Sequence, residues 1–192
     1  MVEIEKVEMV EIEKVEEQIG EVLGLEIAAQ KAVEELSSKG LLDKRGIKGK
    51  LQAMKSEAAA HQKKIEKLMQ TIISKSEGLN QDSIRQHAEE ASQKASQMMQ
   101  TYLGEDPDAL DALEFLCLAE GREVTHYEVL SEVAKELKEK KFATEIRSIL
   151  KEEKNISSYA HNLQRKIVLG VKGIKGEIIR TNQNLLQYKQ ES

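Results

Sequence analysis

The sequence predicts an all-α protein, four long helices in an antiparallel bundle with a helical crossover and an extra C-terminal helix. Three observations lead there. Aromatic residues make up only 3% of the chain and proline occurs once, while Ala, Leu, Ile, Glu, Lys and Gln dominate, the vocabulary of helices rather than sheets. Long stretches repeat apolar residues at helical spacing, and each carries a carboxylate inside its apolar stripe. At 192 residues the chain is large enough for one domain with a real core.

The elements follow in order. Residues 1–16 are a tandem repeat, MVEIEKVE followed by MVEIEKVE. The copies are too few and too short for a solenoid, so the segment reads as a helical extension or as a duplicated start of the reading frame. The alternation Val2, Glu3, Ile4 fits a short strand equally. From Glu17 the helical period is clear, and Gly40 is its stop. A charged turn leads to a second helix from Lys44 to Ser76, and Gly78 with Asn80 breaks it.

Asp82 or Ser83 then caps a third stretch reaching Leu103, whose polar and small residues suit a crossover lying on the outside of the bundle. Gly104 ends it, with Asp106 as the N-cap of the next helix and Pro107 in its first turn. That helix runs to Lys138, and after a tight turn another runs from Phe142 to Leu169. Gly170, Gly173 and Gly176 precede a tail helix carrying Ile178, Ile179, Leu185 and Leu186. The organisation is therefore an extension (1–16), a bundle (17–169) and a helical tail (170–192).

Composition narrows the partners. The net charge is −5 with both signs interspersed, and almost no aromatics are available to stack on bases, which argues against nucleic acid. The longest apolar runs, such as 167–171, fall far below the roughly 20 residues of a spanning helix, and no signal-peptide core is evident. Cys117 is the only cysteine, so no intrachain disulfide can form and a cytoplasmic address is expected. Apolar residues in both terminal segments call for cover, which predicts a homodimer.

The candidate chemistry lies in the stripes. Glu26 falls in the row Ile19, Leu23, Glu26, Val33, and Glu57 sits beside Leu51, Met54, Ala58, His61 and Ile65. Glu123 follows Leu113, Leu116 and Glu120 and precedes Tyr127 and Leu130, while Glu153 lies between Ile149, Leu150 and Ile156. Glu26 and Glu57 are about equally far from the first turn, so at about 1.5 Å per residue they come level in an antiparallel pair. About the second turn the mirror image of Glu153 is His126, one helical turn from Glu123.

Several carboxylates at one level of a core need a shared counter-charge, and a metal pair is the usual one. Glu123-Val124-Thr125-His126 has the Glu-x-x-His spacing that brings an oxygen and a nitrogen to one ion. His61 is either a second nitrogen ligand or a satisfied core histidine. The expected ligands are thus Glu26, Glu57, His61, Glu123, His126 and Glu153, with Glu120 able to replace Glu123. Glu152 reads as a solvated neighbour of Glu153, Tyr127 as a core aromatic or a hydrogen-bond donor to a site carboxylate, and His87 and His161 as bystanders. No nucleophilic triad, phosphate-binding loop or cysteine-rich metal spacing appears.

From Ala109 to Gln164 the chain resembles the YciF-like ferritin-like family of bacterial stress-response proteins. The resemblance rests on HYEVLSEVAKELKEKKFATEIRSILKEEKN, where His126, Tyr127 and Glu128 fit a His-Tyr-Glu segment and Glu152, Glu153 and Lys154 fit a Glu-Glu-Lys segment. Glu26 in EIAAQKAV and Glu57 in KSEAAAH match acidic positions of the family. Two places differ: Thr125 stands where the family has a glutamate before the histidine, and an acidic pair is reduced to Ser56 and Glu57. The resemblance implies a ferritin-like four-helix bundle with two iron or manganese ions, an oxidoreductase acting on oxygen or peroxide. The alternative is a metal-free helical scaffold that keeps the bundle and has lost the site.

Overall fold

The computed structural model describes residues 2–41, 47–75, 78–137 and 139–168, with side chains from 12 to 165. They form α1 (Val2–Ser38), α2 (Lys48–Ile73), α3 (Gln81–Leu103), α4 (Ala109–Glu136) and α5 (Lys140–Val168), with no strand among the described residues. The backbone of the tandem repeat is the start of α1, so the strand option for it is excluded. The glycine-rich segment and tail helix expected over 170–192 lie outside the described residues. No described helix is long and apolar enough to cross a membrane.

Capping chemistry sets the helix ends. Gly40 takes a positive φ of 67°, and its N–H donates to Ser37 O at 3.1 Å. Asn80 caps α3, accepting from Asp82 N at 2.8 Å, where Asp82 or Ser83 was expected. Asp108 rather than Asp106 caps α4. Its carboxylate accepts from Leu110 N and Asp111 N, and the Asp111 carboxylate accepts in return from Asp108 N at 2.9 Å. A capping box needs an acceptor three residues on, which Asp108 has in Asp111 and Asp106 lacks because Ala109 stands there. Pro107 is left outside the helix.

Two apolar layers fix the helix directions. One gathers Ile19 and Leu23 of α1, Ile65 and Ile72 of α2, Ile84 of α3, Leu130 of α4, and Phe142 and Ile149 of α5. The other gathers Val33 and Leu36 of α1, Leu51 of α2, Met99 and Leu103 of α3, Leu113 and Leu116 of α4, and Leu163 of α5. Chain order between the layers is the same in α1, α3 and α5 and reversed in α2 and α4. The α1–α2 and α4–α5 hairpins are therefore antiparallel. Full burial of a Leu, Ile or Phe contributes about 1.5–3 kcal/mol, so these two layers supply the main apolar stabilisation on either side of the polar level.

α3 is more than an outer crossover. Ile84, Ala88, Ala91, Met99 and Leu103 are buried, and the helix runs parallel to α1 at very close range. A Cβ at Gly20 would come 2.7 Å from Ile84 O, and one at Gly24 would come 2.3 Å from Ala88 O. Glycines on α1 facing alanines on α3 let the two backbones approach, which is why a stripe of Ala and Ser serves as a packing face here. Glu16 Oε1 accepts from Asn80 N at 2.6 Å and locks the start of α3 onto α1.

Candidate metal centre

Between the two apolar layers lies a level of buried polar side chains. Glu26 of α1 is 0% exposed, His61 of α2 and Glu153 of α5 are each 1% exposed, and Glu120 and Glu123 of α4 are also buried. Each sits in a stripe flanked by apolar residues, Glu120 and Glu123 side by side between Leu116 and Tyr127, so the packing that buries the stripe carries the acids inward with it.

The contacts are short. His61 Nδ1 is 2.6 Å from Glu153 Oε1 and 3.3 Å from Glu26 Oε1, yet Nδ1 has no aligned hydrogen bond. Tyr127 Oη donates to Glu26 Oε1 at 2.5 Å. On the other edge of the imidazole, His61 Nε2 is 2.9 Å from Glu152 Oε2. Glu26, His61 and Glu153 form one triplet whose ligand atoms lie within 4.8 Å of one another, and Glu120, Glu123 and Glu153 form a second. Glu153 belongs to both.

The electrostatics match the crowding. Burial pushes the Glu26 carboxyl up to about 7, helped by the charge of Glu153 and opposed by His61 and Tyr127. Burial, then the charges of Glu153 and Glu26, raise Glu120 well above the carboxylate range, and burial, then Glu120, do the same to Glu123. For His61 burial favours the neutral ring, but the hydrogen bond to Glu152 and the close carboxylates of Glu153 and Glu26 outweigh it and hold the imidazole up at about 11. Glu152, bonded to His61, is held down at about 2.

One oxygen each of Glu26, Glu120 and Glu153 has no hydrogen-bond partner although it is shielded from solvent. An orphaned buried acceptor costs about 1–3 kcal/mol, more when charged, and three at one level call for a common partner. Carboxylate oxygens with an imidazole nitrogen are the donor set that divalent iron and manganese accept. Beside them a cavity of about 20 Å³, lined by Ala29, Ala58, Leu116 and Ala119 as well as the acids, has room for about one water-sized molecule.

Of the six ligands expected from sequence, Glu26, His61, Glu123 and Glu153 come together. Glu57 does not join either triplet; half-buried, it acts on Glu120 through its charge. His126 is not brought into the level: its Nε2 is 3.9 Å from Glu21 Oε2, beside Arg122. Glu120 takes a place that sequence reasoning gave to Glu123 or to it in turn, and both are present. Glu152, expected to be a solvated neighbour of Glu153, is indeed partly exposed and in addition contacts His61. His161 is exposed, and neither it nor His87 belongs to a triplet. No family model, curated protein or solved structure matches this chain.

Proposed function

We propose that this chain is a ferritin-like di-metal carboxylate protein, holding two iron or manganese ions and acting on oxygen or peroxide in a stress response of the YciF-like kind. The observation that supports it is the convergence of Glu26, His61, Glu120, Glu123 and Glu153 from four helices, with buried oxygens left unpartnered. Glu26 and His61 would hold one ion, Glu120 and Glu123 the other, and Glu153 would bridge them. Bound iron or manganese supplies redox and Lewis-acid chemistry. The chain's own part is to exclude water with the two apolar layers, to orient Glu26 through the Tyr127 hydroxyl, and to release protons from the buried carboxyls as cations enter. In the same reading residues 1–16 and 170–192 pair two copies as a homodimer, which light scattering on full-length and truncated chains tests.

A second reading has its own support. The imidazolium of His61 lies among Glu26, Glu152 and Glu153, and Glu120 and Glu123 favour the protonated form, so the level can balance its charge without metal. Such a protein would be a helical scaffold. Metal content of protein purified without chelators separates the readings. The di-metal reading expects iron or manganese in the wild type and none in the double variant Glu26→Gln, Glu153→Gln. Metal retained by the double variant refutes these ligands, and a wild type that stays empty when titrated with either ion leaves the scaffold.

A further inference from the structure

The geometry points to Glu152 as the positioning residue of the centre: its carboxylate holds the outer edge of the His61 ring and thereby turns Nδ1 inward onto Glu26 and Glu153. The consequence for metal binding rests on the di-metal reading, while the hydrogen bond itself does not.

Glu152 and Glu153 are consecutive on α5, about 100° apart around the helix, and between them they grip both edges of one imidazole. The two edges differ in kind. Glu152 Oε2 and His61 Nε2 form an aligned hydrogen bond of 2.9 Å, whereas Nδ1 has close oxygens but none in hydrogen-bond alignment. Among the described contacts the Nε2 bond is therefore the one that fixes the ring's rotation. The Glu152 side chain is 46% exposed, with Lys64 Nζ 3.4 Å and Ser148 Oγ 3.5 Å from Oε1. A solvated carboxylate beside an ammonium is ionised and can only accept, so Nε2 must be the donor. With the proton fixed on Nε2, the lone pair of a neutral His61 falls on Nδ1, the nitrogen that faces the acids. A carboxylate on the outer nitrogen also makes the inner one a more basic ligand.

The test compares Glu152→Ala with Glu152→Gln, since a glutamine carbonyl can still accept from Nε2. In chelator-treated protein the Nε2 proton of His61 should give a protected nuclear magnetic resonance signal in wild type and E152Q, and lose it in E152A. Affinity for Zn²⁺ alone should fall about 10–100-fold in E152A and recover most of the loss in E152Q. Lys64→Ala, which removes charge and keeps the hydrogen bond, should leave both readouts near wild type. A protected Nε2 proton in E152A, or Zn²⁺ affinity unchanged there, overturns the assignment. If the wild type takes up no zinc, the di-metal reading fails while the ring proton still decides whether Glu152 positions His61.

Discussion

Raising the pH should destabilise the metal-free protein, and Glu26 shows how far. Its carboxyl stands at about 7 in the folded chain against an ordinary 4.5, chiefly because it is buried. A raised value means that the folded state prefers the protonated form, so this contribution is complete below 4.5 and is lost as pH rises through 7. The difference corresponds to roughly 3 kcal/mol, and at about 2–4 °C per kcal/mol for a chain of this size it moves the melting temperature by on the order of 10 °C. His61 acts in the same sense at higher pH. Held at about 11 against an ordinary 6.5, it contributes fully below 6.5 and progressively less up to 11. Glu152, held down at about 2, contributes fully above 4.5 and does not change over this range. Thermal unfolding in chelator, followed by circular dichroism, should therefore give a maximum near about pH 5 and a lower midpoint near about pH 8. Saturating Mn²⁺ should reverse the trend, since deprotonated ligands bind it better. A melting temperature that is flat or rises over the same interval without metal would refute the buried-acid account.

Other outcomes follow from the same contacts. Metal binding at neutral pH should release about one proton from His61 and about half of one from Glu26, more when Glu120 and Glu123 are counted, by calorimetry in buffers of differing ionisation enthalpy. Fewer than about one proton released would speak against His61 as a ligand. Replacing His126 by Ala should leave the metal-to-protein ratio at its wild-type value, because that ring faces Glu21; loss of an ion would return it to the centre. Gly24→Ala places a methyl 2.3 Å from Ala88 O, and overpacking of about 1–3 kcal/mol should exceed the helix-propensity gain of up to about 1 kcal/mol. A higher midpoint in that variant would mean that α1 and α3 do not pack as described.

The helices were legible because their apolar spacing persists over many turns, and the antiparallel hairpins because their connections are short. What α3 does was not legible. Ala and Ser look solvent-tolerant in one dimension, and only their position opposite Gly20 and Gly24 makes them an interface. The caps at Asn80 and Asp108 depend on which side chain finds an N–H two or three residues on, a matter of one hydrogen bond rather than of pattern.

Within the centre, height alone was an incomplete guide, and membership of the stripe explains the rest. On α4 the row Leu113, Leu116, Glu120, Glu123, Tyr127, Leu130 advances by alternating steps of three and four, so it stays on one face, and His126 stands one residue off it. On α2 the row Ala58, His61, Ile65, Leu68, Ile72 does the same and leaves Glu57 one residue aside, half-buried rather than inside. Ile146, Ile149 and Glu153 continue the pattern on α5. One residue is about 100° of helix. That rotation takes His126 away to Glu21, and on α5 the same rotation carries Glu152 off the inward face to the rim, where it meets the outer nitrogen of the histidine that Glu153 meets from within.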